Sequence, residues 1–154
     1  MKTETSRRRC KSRRPLVLVV DDVDIVRVSI GLVLREMAGF RAVGAATSEE
    51  ALDLARRRKF DVVTSDINRS GMNGLKFLKL FKRAHPTTPV VVVSAVLDEA
   101  NTRLAKRLRA FGCLLKPFGS RELVELVQAA MAATRARARD SSTEPTPPLR
   151  GLIR

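Results

Sequence analysis

The sequence predicts an α/β fold built on an open, doubly wound parallel sheet. Short valine-rich runs bounded by polar residues alternate with stretches of helical periodicity, and acidic residues close the first and third runs. Leu16-Val17-Leu18-Val19-Val20 and Val90-Val91-Val92-Val93 are continuously apolar, as strands covered on both faces are. The 154 residues suit one domain with short appendages, and a hydrophobic fraction of 44% is ample for a core.

Residues 1–14 are charged and lack apolar periodicity, which predicts a disordered basic arm with order beginning near Pro15. The first strand is Leu16 to Val20. Ile25, Val28, Leu32 and Met37 recur near helical spacing and predict a helix from Asp24 to Ala38, ended by Gly39. Arg41 to Ala45 makes a second strand. Thr47-Ser48-Glu49-Glu50 matches a capping box and opens a helix to about Arg58, with Ala51, Leu52 and Ala55 inward.

The third strand, Asp61 to Asp66, runs into the turn Asn68-Arg69-Ser70-Gly71-Met72-Asn73-Gly74, whose two glycines permit positive φ. Leu75, Leu78, Lys79 and Lys82 mark the next helix. Pro86 and Pro89 bracket a loop before the fourth strand, and Asp98 to Ala110 reads as a basic helix ended by Gly112. Cys113 to Leu115 forms a fifth strand, and Leu123, Leu126, Val127 and Ala130 give the last helix its inner stripe. The helical leucine stripes read as core, and Asp24 or Asp98 as a helix cap. The domain is thus expected over residues 15–133. Residues 134–154 begin as a helical extension in Arg135, Arg137 and Arg139, then pass into a Pro/Ser/Thr-containing stretch that predicts a flexible tail.

The net charge of +14 is unevenly spread: residues 1–14 hold seven Lys and Arg against one Glu, and residues 134–154 hold five Arg against two acids. Such arms favour weak electrostatic contact with nucleic acid. Stacking or groove reading lacks its usual residues, because the chain has no Tyr or Trp and no helix-turn-helix pattern follows the last helix. Cys10 and Cys113 are far apart and fit neither metal-ligand nor redox spacing, which suits a reducing cytoplasm. The run Leu16 to Val20 is too short for a signal core or a membrane span.

Parallel sheets place their chemistry beyond the carboxyl ends of the strands, where this chain carries Asp21, Asp22 and Asp66. Three converging carboxylates require a cation. Mg²⁺ held by Asp22 directly, by Asp21 through water, by Asp66 and by the backbone carbonyl of Asn68 would satisfy that demand. It would leave Asp66 suited to act as a nucleophile toward phosphorus. Lys116 supplies a point charge and Ser94 a hydroxyl for phosphoryl oxygens. His85 precedes a proline without neighbouring ligands and reads as a surface residue.

From Leu16 to about Ala132 the chain resembles the receiver domain of two-component response regulators. The resemblance rests on the acidic pair after strand one and on Asp66 with Gly71-Met72-Asn73-Gly74 behind it. Ser94-Ala95 after strand four and Lys116-Pro117-Phe118 after strand five complete it. It implies a flavodoxin-like sheet of five strands in the order 2-1-3-4-5. It further implies Mg²⁺-dependent phosphorylation of Asp66 by a histidine kinase or phosphotransfer protein, catalysed by the receiver itself, followed by hydrolysis. Arg27 fits the first helix of the family. A stand-alone switch signalling to a downstream protein target is the expected role.

Two positions depart from the family pattern. Arg69-Ser70 stands where receivers usually carry Met-Pro, and Cys113 stands where they usually carry an inward-turning aromatic residue or His. These favour, as one alternative, a phosphorylation-independent adaptor, while the basic arms suggest another, a basic nucleic-acid-associated accessory protein. A phosphatase on a similar sheet lacks its Asp-x-Asp spacing here, and a flavin protein lacks its phosphate loop.

Overall fold

The computed structural model describes residues 13–68 and 71–141. Most of the expected basic arm, residues 142–154 of the expected tail, and Arg69 and Ser70 lie outside the described residues. The elements are β1 (Leu16–Val20), α1 (Asp24–Ala38), β2 (Arg41–Ala45), α2 (Ser48–Arg57), β3 (Val62–Ser65), α3 (Gly74–Ala84), β4 (Val90–Ser94), α4 (Glu99–Arg107), β5 (Gly112–Leu115) and α5 (Ser120–Ser141). The five strands are parallel and ordered β2-β1-β3-β4-β5.

Right-handed crossovers decide which helix covers which face. The chain steps from β1 to one edge, then returns past β1 toward the other, so the crossover helices change sides once, between α1 and α2, and α5 then joins α1. On one face Leu18, Val20, Val63 and Val92 meet Ala51 and Ala55 of α2, Phe77, Leu78 and Phe81 of α3, and Ala105 of α4. On the other, Val17, Val19, Val62, Val91 and Val93 meet Ile30 and Leu34 of α1 and Leu123, Val127 and Ala130 of α5. Alternate residues of each strand therefore enter different cores, which is why the runs Leu16 to Val20 and Val90 to Val93 have no polar positions.

Local chemistry sets the ends of the elements. Thr47 Oγ1 accepts the Glu50 N–H at 3.1 Å, and the Glu50 carboxylate accepts the Ala46 N–H at 2.8 Å, one residue further back than the box predicts. Asp98 Oδ1 caps α4 through the Asn101 N–H, whereas Asp24 lies inside α1 and pairs with Arg27. Gly39 closes α1 at φ 69°.

Three expectations change in detail. Ile25, Val28, Leu32 and Met37 do identify α1 but lie on its outer side, Ile25 being 71% exposed. Apolar residues surround most of this helix, so periodicity locates the helix and the sheet chooses the face. Gly112 lies in β5 rather than ending α4, and the left-handed residue after that helix is Arg109, at φ 66°. Gly71 has the anticipated positive φ, while Gly74 is needed for space: a Cβ there would collide with the Asp66 carbonyl oxygen and the Ile67 Cα. The helical extension expected in Arg135, Arg137 and Arg139 forms the end of α5, which runs to Ser141.

Two substitutions test this packing. Gly74→Ala forces backbone against backbone and is expected to cost about 3 kcal/mol or more by urea unfolding. Gly119→Ala, with nothing within 4 Å of the added atom, should stay within about 1 kcal/mol of the parent. Thr64 is 1% exposed, and its Oγ1 is the only buried side-chain N or O atom without a hydrogen-bond partner among the described residues. Thr64→Val should therefore raise the unfolding free energy, by about 1 kcal/mol.

Candidate functional site

The strand ladders bring the predicted aspartates together. Val20 is in register with Ser65, and the Asp66 N–H donates to the Val20 carbonyl at 3.0 Å, so the residues following both strands share one end of the sheet. Carboxylate oxygens of Asp21, Asp22 and Asp66 lie within 4.8 Å of one another. Asp21 and Asp66 are buried and Asp22 is half-buried. This end lies at the switch between β1 and β3, where crossovers leave in opposite directions and open a crevice.

Lys116 arrives from the far side of the sheet. Its Nζ donates to Asp21 Oδ2 at 2.7 Å and to Asp66 Oδ2 at 2.9 Å. Burial acts to lower the lysine pKa, but the hydrogen bonds and charges of Asp21 and Asp66 more than offset it, and the net shift is upward. The ammonium is therefore charged at neutral pH. Its position follows from the β4–β5 ladder, in which Ser94 pairs with Leu115 and the Lys116 N–H donates to the Ser94 carbonyl at 2.8 Å.

Asn68 joins the aspartate to the hydroxyl. Its N–H donates to Asp66 Oδ1 at 2.8 Å and its Nδ2 donates to Ser94 Oγ at 3.0 Å. The sequence pointed to Asn68 for its carbonyl; the side-chain bridge needed the β3–β4 register to be seen. On the acidic side, Asp21 Oδ1 accepts the Val23 N–H at 2.9 Å, which turns the chain into α1. The Arg27 guanidinium donates to the Asp21 carbonyl at 2.7 Å and to Asp24 at 2.6 Å. Gly44 makes room for it, since a Cβ there would lie 2.9 Å from Arg27 Cδ. Nothing in the local sequence marks Gly44, because its neighbour comes from a different element.

The donor chemistry fits Mg²⁺. All three acidic side chains offer hard oxygens and one ammonium opposes them, so the cluster retains excess negative charge for a divalent cation. Cys113, packed against the α2–α4 core, has its thiol pKa raised by burial, with Lys106 opposing that shift. His85 follows α3 and stacks on Phe81 at 4.8 Å, apart from the carboxylates in the sequence and in the sheet.

An open parallel sheet carrying acids at its switch point, a hydroxyl on β4 and a lysine after β5 defines a receiver-type α/β domain. Residues 17–128 match the family model described as response regulator receiver domain, and the chain belongs to that family. The response regulator GacA of Pseudomonas viridiflava is 36% identical over 120 residues, covering 77% of this chain and 56% of that protein. The chain thus spans about half the length of the curated relatives it matches. The chemotaxis protein CheY4 of Vibrio cholerae superposes with a TM-score of 0.72 at 30% identity, covering 76% of this chain and 98% of that one. A CheY-like receiver domain protein of Methanospirillum hungatei JF-1 gives 0.77 at 22% identity over 80% and 98% of the two chains, which supports the fold.

Removing the ammonium should expose the repulsion it masks. Lys116→Met is expected to lose about 3 kcal/mol of unfolding free energy in the presence of a chelator, since it leaves two buried carboxylates facing each other. Millimolar Mg²⁺ should return part of that loss. Equal unfolding midpoints for parent and variant in chelator would contradict the assigned role.

Proposed function

We propose that Asp66 accepts a phosphoryl group from the phosphohistidine of a histidine kinase or phosphotransfer protein, and that the modified chain signals to a downstream protein target. The observation that carries this reading is Lys116 Nζ between Asp21 and Asp66, with Ser94 tied to Asp66 through Asn68. A carboxylate oxygen of Asp66 attacks phosphorus in line with the P–N bond. The new P–O bond forms as the P–N bond breaks, and the electron pair departs on the imidazole nitrogen. Mg²⁺, held by Asp21, Asp22, Asp66 and the Asn68 carbonyl, would offset charge on the phosphoryl oxygens when bound. Lys116 then exchanges a carboxylate partner for a phosphoryl oxygen, and the Ser94 hydroxyl donates to another. Hydrolysis of the acyl phosphate resets the switch.

The readout surface in this proposal is α4, β5 and α5, where Leu104 and Leu115 are exposed. Among the described residues no helix is long and apolar enough to cross a membrane. The proposal sets the chain in the cytoplasm, where its kinase would reach it. The basic arms add at most weak, salt-sensitive contact with nucleic acid. A second reading, a phosphorylation-independent adaptor, draws on Cys113, whose small half-buried side chain cannot perform an aromatic rotamer exchange.

Acetyl phosphate with Mg²⁺ distinguishes the two. Intact-mass spectrometry should show one added phosphoryl group on the parent and none on Asp66→Asn. No addition to the parent supports the adaptor, and equal addition to both chains removes Asp66 as the acceptor.

A further inference from the structure

At the opposite pole, where β3, β4 and β5 begin, the surface opens into a cavity of about 950 Å³ lined by Lys59, Lys82, Arg109 and Arg137 along with Thr88 and Phe111. Asp61 is the only acidic residue in the lining, and its carboxylate is already engaged by Arg13 at 3.1 Å and by the Leu16 N–H at 2.7 Å. Four cations thus converge on a concave surface without a comparable acidic partner, an arrangement that concentrates positive potential.

Lys82 is the deepest of them. It is 7% exposed, and its Nζ donates to the carbonyls of Pro86 and Thr88, both at 2.9 Å. An ammonium has three donors, so one remains beyond these two bonds. No carboxylate pairs with Lys82 among the described residues. Its pKa is lowered by burial first, then by the charges of Arg109 and Arg137, which line the same cavity. A buried ammonium with only carbonyl dipoles around it gains most from an anion.

Two backbone features put the arginines there. Arg109 adopts a left-handed conformation that a non-glycine residue enters at a cost of about 1 kcal/mol, and its N–H is tied to the Lys106 carbonyl at 2.9 Å. Arg137 lies on the part of α5 that runs to Ser141, whereas the family match ends at residue 128. The wall from Ala133 to Ser141 is therefore a feature of this chain beyond the matched domain.

We propose that this cavity binds an oligophosphate anion of nucleotide size. Arg109 and Arg137 engage phosphate oxygens with their planar forks, and the remaining Lys82 donor and Lys59 complete the charge. The half-exposed ring of Phe111 offers a face to a base, and the cavity volume lies within the usual range for small-molecule pockets, roughly 300–1,000 Å³. Concavity favours a compact phosphate ligand over a nucleic-acid duplex, which needs an extended basic stripe. The inference does not depend on phosphorylation of Asp66.

The test is calorimetric titration of the full chain with ATP, tripolyphosphate and a DNA duplex at physiological salt. The expected result is one ATP per chain, weakened by roughly tenfold for each of Arg109→Ala and Arg137→Ala. Arg135→Ala/Arg139→Ala removes two charges of α5 outside the lining and should bind ATP as the parent does. Tripolyphosphate equal to ATP assigns the whole interaction to the phosphates, and weaker tripolyphosphate adds the base contact. Absence of ATP binding overturns the proposal, as does equal loss in the α5 control pair or binding to the duplex alone. Circular dichroism of each variant establishes that it is folded.

Discussion

The receiver end of this sheet depends on one ammonium between two buried carboxylates. Two unit charges 4 Å apart repel by about 4 kcal/mol at an effective dielectric of 20, and the β1–β3 register leaves Asp21 and Asp66 no freedom to separate. Lys116 removes that penalty from the opposite direction. It leaves β5, which is separated from β3 by β4, so with strands about 4.8 Å apart its attachment point lies on the order of 10 Å away. Only a long, flexible side chain emerging beyond the strand end can span that gap. A compact ammonium on a flexible stem also bridges two carboxylates without the fixed fork geometry that a planar guanidinium would impose.

The other groups act by fixing this triangle in place. Arg27 holds the Asp21 carbonyl and Asp24, which anchors the turn between β1 and α1. Asn68 orders the turn after β3 by linking Asp66 to Ser94, and Gly74 lets α3 begin against the backbone of Asp66. Each contact comes from a different loop, yet all are within reach because parallel strands end on the same side. Changing the register of any one ladder by a residue would turn its terminal side chain to the other face.

The strands and the residues ending them were legible in the sequence because their signal is local: valine runs for burial on both faces, acids immediately after them. The Thr47 cap and the Gly39 stop were readable for the same reason. What escaped was set by distant neighbours. Gly44 leaves room for the Arg27 side chain from α1, and Gly74 is required by the preceding strand end, so neither glycine reveals its purpose by φ alone. Ile25, Val28 and Leu32 gave the helix but not its orientation, because α1 also presents Val26, Ile30, Val33 and Leu34. The burial of Lys82 was hidden because a lysine on an amphipathic helix normally reaches water, whereas here Pro86 and Thr88 turn their carbonyls toward it.

The two ends of the sheet carry opposite charge for a common reason. Helices α3 and α4 finish with Lys and Arg at the pole where β4 and β5 start, favourable positions for cations at the negative end of the helix dipole. Acids instead occupy the pole where strands end. A strand of five residues separates these poles by about 17 Å, roughly twice the screening length at physiological ionic strength. Solvent therefore screens the exposed charges of one pole from those of the other, and the buried groups less. Any influence between them must pass through β3, β4 and β5, whose ends belong to both regions. In β3 and β4, Val62, Val63 and Val90 to Val93 are no more than 1% exposed, and a close-packed layer of this kind resists gradual deformation, so a change at one pole reaches the other only by moving a strand as a whole.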